Sequence, residues 1–168
     1  MKRILIATFG LLTLGAGSAA AQCVGSCSVT TDIAVTIPAM LKIGLSGSFV
    51  FDAPTAADVE AAATLASTGG PTLDTKGNVP YKVDVSATAF VKSAPVNAGD
   101  ASGYTKPLSD VSVQVGANPA VPLATLAAEL YTLGRGSSSD AVSGTFKLNA
   151  DDAAATYTTT VTFTIGAQ

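Results

Sequence analysis

The stretch Val79-Pro-Tyr-Lys-Val-Asp-Val-Ser-Ala-Thr-Ala-Phe-Val91 decides the fold. Val79, Tyr81, Val83, Val85, Ala87, Ala89 and Val91 share one parity, and Lys82, Asp84, Ser86 and Thr88 stand between them. Successive side chains of a strand point to opposite sides, so this alternation reads as an extended strand with one dry face. The same pattern brackets the rest of the chain. Val29, Thr31, Ile33, Val35 and Ile37 alternate ahead of Pro38, and Tyr157, Thr159, Val161, Phe163 and Ile165 alternate near the end. Shorter runs of the same kind are Leu41-Ile43-Leu45, Phe49 with Phe51, Val111-Val113-Val115, and Phe146 with Leu148.

Turn residues separate these runs. Gly44, Ser46, Gly47 and Ser48 form one cluster, residues 93–107 a loop, and Gly116 to Pro119 another turn. Gly134 to Asp140 reads as a flexible loop, and Asn149 to Asp152 as a hairpin turn. Two segments have helical spacing. In 54–68, Thr55 can cap and Asp58 falls in a first turn, so the segment reads as a short helix crossing between sheets or as a loop. Leu123, Leu126, Ala127 and Leu130 fit a helical turn or two after Pro122. Six to eight short strands with turns between them predict an all-β chain. The expected architecture is an immunoglobulin-like antiparallel β-sandwich with one or two short helical crossovers.

Residues 1–21 have the form of a secretory signal peptide. Lys2 and Arg3 precede an apolar core from Ile4 to Leu14, and Ala19-Ala20-Ala21 supplies the small residues of a cleavage site before Gln22. The run is shorter than the ~20 apolar residues a bilayer span needs. Residues 22–168 are then expected to be a single exported domain, located in the periplasm, on the cell surface or outside the cell, with no stable membrane anchor. Without Lys2 and Arg3, seven of the nine basic residues face twelve acids. That balance, with no clustered Lys or Arg, argues against nucleic-acid binding.

The chain has no histidine and no tryptophan. The first absence removes Ser-His-Asp triads, Cys-His pairs and nearly all catalytic zinc sites. The second removes a common stacking surface for sugars and leaves Tyr104, in a loop, as the aromatic expected to be exposed. Asp151-Asp152 does not read as a catalytic pair, since neighbours on a strand point to opposite faces. Its loop lacks the ligand spacing of a calcium site. No catalytic, cofactor-binding or metal-ligating residue is expected, and the chain reads as non-enzymatic.

Cys23 and Cys27 open the mature chain, where export favours a disulfide. It reads either as a local clasp or as a bridge between subunits. The following segment, 22–38, reads either as the first strand of its own sandwich or as an exchangeable arm. Val29, Ile33, Val35 and Ile37 have the spacing that strand addition to a neighbour's sheet requires.

The signal peptide, the early Cys23, the alternating Val29-Thr-Thr-Asp-Ile-Ala-Val-Thr-Ile37 and the closing Tyr157-Thr-Thr-Thr-Val161-Thr-Phe163-Thr-Ile165 together resemble exported bacterial β-sandwich surface proteins. These are the fimbrial subunits and the spore-coat-U-like group. The fimbrial pattern pairs an early Cys with one well downstream, whereas Cys23 and Cys27 are close together. The resemblance implies a structural subunit of a pilus, coat or similar assembly, joined as a homo-oligomer or surface assembly through strand edges. The alternative is a monomeric secreted or periplasmic binding module, for a glycan or a surface protein, using loops 93–107 and 134–140.

Overall fold

The computed structural model describes residues 32–93, 105–152 and 154–168. The signal segment, Cys23, Cys27, Val29 and Tyr104 lie outside the described residues. The chain divides into two units, Met1–Thr36 and Ile37–Gln168. In the first, residues 32–36 carry no regular secondary structure. The second unit contains all the strands found among the described residues.

Two antiparallel sheets form an all-β sandwich. One contains β1 (Leu41–Ser46), β2 (Thr64–Ala66), β3 (Thr72–Gly77), β6 (Val111–Val115), β7 (Val121–Pro122) and β9 (Gly136–Lys147). Its order is β1-β3-β9-β6-β7, with β2 also on β9. The other sheet has the order β11 (Val161–Ala167), β4 (Tyr81–Ala87), β8 (Ala128–Leu133). A separate ribbon pairs β5 (Val91–Ser93) with β10 (Thr156–Thr158).

The dry face read from residues 79–91 is real over β4. Tyr81, Val83, Val85 and Ala87 are buried, while Lys82, Asp84 and Ser86 are partly exposed. They share one core with Leu73, Val111, Val113, Val115, Leu123, Leu130, Tyr131 and Val142. Burying a side chain of this size is worth roughly 1.5–3 kcal/mol. The run does not continue as one strand. The ladder to β11 ends at Ala87, and β5 pairs with β10 instead.

Strand β9 organises the larger sheet. Its first half pairs with β3 and its end with β2, while β6 pairs along the other side. Ser138, Asp140, Val142, Gly144 and Phe146 are the more buried alternate positions. The flexible loop expected at 134–140 is therefore corrected, since residues from Gly136 onward belong to β9. Gly and Ser are weak strand formers, and pairing with β3 overrides that preference.

The helical readings need two further corrections. Helix α1 (Ala56–Glu60) exists, with a reciprocal capping box between Thr55 and Asp58. It joins β1 to β2 within one sheet, so it does not cross between sheets. The second expected helix is absent: Ala128–Leu133 is β8, paired with β4. Leu126 is 81% exposed, so the apparent Leu stripe never faces one surface. The alternation at 29–37 forms no strand over its described part, and residues 32–40 run without regular structure. Phe49–Phe51 contributes a single bridge, Val50 to Gly69.

Two positions generate tests. Gly70 sits where the chain passes β9, and a Cβ there would overlap the Val142 carbonyl oxygen. Val142 N–H also donates to Pro71 O at 2.8 Å, so this backbone has little room to retreat. Gly70→Ala should cost about 2 kcal/mol or more by chemical denaturation. Gly134→Ala, with nothing near its added carbon, should stay within about 0.5 kcal/mol.

The second is Tyr131. Its hydroxyl is buried with no hydrogen-bond partner among the described residues, and the nearby Thr75 hydroxyl is engaged by Tyr81 at 2.9 Å. Burial pushes the Tyr131 pKa above its ordinary 10.0; Thr75 opposes this, and Tyr81 and Asp140 add to it. The native state thus holds this proton more tightly than the unfolded chain does. The contribution is complete below the ordinary value and is lost as pH rises from there towards the higher native one. Tyr131→Phe should flatten the fall in melting temperature at alkaline pH; an unchanged profile would count against this role.

Candidate functional site

The covering layer of the sandwich splits where β4 ends and β5 departs, and this opens a groove. Val111, Val113, Gly144, Phe146 and Leu65 line it from the larger sheet. Phe90, Tyr157 and Val161 line it from the opposite side, and Phe49 and Phe51 close one flank. Its volume is about 600 Å³. Gly144 keeps the floor flat, because a Cβ there would lie 3.1 and 3.2 Å from the rings of Phe49 and Phe51.

The wall is aromatic. Phe51–Phe146, Phe146–Phe90 and Phe90–Tyr157 each meet edge to face with centroids 6.2 Å apart. Such pairs are worth ~0.5–1.5 kcal/mol beyond their buried area, so the wall is stiff. A smaller cavity of about 260 Å³ lies between β1 and β11, lined by Ile43, Leu45, Leu73, Val161 and Phe163. Val161 lines both spaces. Each of β1 and β11 is the last strand of its sheet, so each keeps an unpaired edge among the described strands.

The residues expected to form an exchange face are exposed where they are described. Ile33 is 87% exposed, Val35 77% and Ile37 75%. Loop 134–140, expected to serve a binding module, has largely become β9, and most of loop 93–107 lies outside the described residues.

Sequence reasoning missed the polar cluster at the end of the groove. The side chain of Lys106 is 0% exposed. Its ammonium donates to Lys147 O at 2.6 Å and to Asp152 Oδ2 at 2.6 Å, and lies 3.0 Å from Asp110 Oδ2. The Phe146 ring lies beneath it, 5.0 Å to the centroid. Asn149 holds both acids: its backbone N–H donates to Asp152 Oδ2 at 2.9 Å, and Nδ2 donates to Asp110 Oδ2 at 2.5 Å. Asn149 to Asp152 is the turn read from sequence, but Asp152 faces inward, its side chain 9% exposed. The one advance signal was Asp110 four residues after Lys106, a spacing too common to single out.

Chemically, the groove offers apolar surface with two carboxylates, Asp52 and Asp152, in its lining. Among the described residues, no group of three or more His, Cys, Asp or Glu side chains could hold a metal ion. No helix there is long and apolar enough to cross a membrane. No protein-family model, curated protein or solved structure matches the chain.

Proposed function

We propose that the protein is a non-enzymatic, exported structural protein of the cell surface, a subunit of a pilus, coat or similar assembly. Segment 22–38 is the joining arm, and it docks on the groove of another copy. The observation that carries this reading is a match of chemistry. Ile33, Val35 and Ile37 are exposed apolar side chains at alternate sequence positions, and the groove presents an apolar lining. A strand places alternate side chains about 6.6 Å apart, so residues 29–37 would present a row roughly 27 Å long.

The edges of β1 and β11 supply the second component. Main-chain pairing along such an edge gives affinity, and side-chain pockets give register. Few charges defend them. Lys42 is the basic residue of β1, and β11 carries no charge. The cysteines at 23 and 27 would then sit at the arm's tip, as a clasp or as a bridge to the next subunit.

The test compares the mature chain with a form lacking 22–38 by size-exclusion chromatography with light scattering. The full chain should form concentration-dependent oligomers. The truncated form should be a monomer that binds a synthetic 27–38 peptide. Ile33→Asp combined with Val35→Asp should abolish oligomers and leave the melting temperature within a few degrees, since both positions are solvent-facing. Full-length protein that stays monomeric at all concentrations would defeat the proposal and favour the monomeric binding module.

A further inference from the structure

From the Lys106 cluster we infer that the chain carries an internal cross-link site, at which the Lys106 amine condenses with the Asp152 carboxyl to form an amide. This inference is independent of the assembly reading.

Four features converge on it. The first is proximity without solvent. Lys106 Nζ and Asp152 Oδ2 are 2.6 Å apart, and Asp152 Oδ2 also accepts the Asn149 N–H, which fixes the carboxyl group against the amine. Reactants held in this way reach effective concentrations of about 10⁵–10⁸ M when the geometry is right. The second is a base. Asp110 Oδ2, 3.0 Å from the same nitrogen, is placed to accept a proton and is held there by Asn149 Nδ2. The third is charge. One ammonium faces two carboxylates beside an aromatic ring, and buried charges are costly in such surroundings. Amide formation removes a charge of each sign. The fourth is attachment. Lys106 precedes β6, and Asp152 follows β9, the strand paired with it. The two ends are therefore held together by a ladder that forms without the link.

The step balances without an outside reagent. One proton passes from the Lys106 ammonium to Asp152 Oδ2, leaving an amine beside a carboxylic acid. The nitrogen lone pair forms the bond to Asp152 Cγ. Asp110 takes a second proton from nitrogen, then returns it to the departing oxygen. The C–O bond breaks, and ammonium plus carboxylate become amide plus water. Nothing is oxidised or reduced. Asp110 is the catalytic residue of this step, and Asn149 is a positioning residue.

The test is intact-mass measurement on the mature protein after full reduction and denaturation, followed by peptide mapping. The folded chain should weigh about 18 Da less than its sequence, and a branched peptide should join Lys106 to Asp152. Lys106→Met should restore the full mass. Asp110→Asn, which preserves shape, should retain the fold by circular dichroism yet show the full mass or a markedly slower loss. Asn149→Ala should slow formation after refolding without abolishing it. A wild-type protein of full mass with no branched peptide overturns the inference. So does a loss of about 17 Da with Lys106 joined to Asn149, which would make the amide the acceptor.

Discussion

Everything in this sandwich depends on one buried face, that of β4. Tyr81, Val83, Val85 and Ala87 share one buried cluster with Leu73, Val111, Val113, Val115 and Val142 of the larger sheet. The chain is only 12% charged. The sheets are therefore held mainly by the transfer of apolar area out of water, which is non-directional. Direction comes from the ladders, and especially from the close passage of Gly70 over β9.

The groove follows from where that face ends. Covering residues continue past Ala87 in sequence, but they leave the sheet and form the ribbon of β5 and β10. The larger sheet extends further than its cover, so its apolar end lines an open space. Phe51, Phe90, Phe146 and Tyr157 brace that space by contacting one another at its margin. The buried lysine beside Phe146 marks the boundary between this apolar region and the turn that closes β9.

What could be read in advance was whatever depends on period two. The burial of one face of β4 and β6, and the half-burial of Val161, Phe163 and Ile165 in β11, follow directly from apolar side chains at alternate positions. The polar half of β9 was invisible, because Gly136, Ser137, Ser138 and Ser139 have no apolar signal and gain their structure from β3. The Leu123 to Leu130 spacing misled for the opposite reason. Leucines at helical intervals signal a helix only if a helix is what buries them, and here Leu123 reaches the core from an irregular stretch and Leu130 from β8, while Leu126 is exposed. Alternation at 32–37 likewise shows what a segment could pair with, not that its partner lies in the same chain. The Lys106 cluster gathers residues up to 46 positions apart, a distance at which local pattern is silent.

Strand β9 has one consequence for how the molecule breathes. Its amides and carbonyls are shared among ladders to β3, β2 and β6, so none of those neighbours is independent of the others. Opening that spares β9 is left to elements outside its ladders, such as the ribbon, the edge strand β1 and the short β7. Amide hydrogens in the middle of β9 therefore exchange with solvent only through global opening, and their exchange rates report the stability of the whole larger sheet.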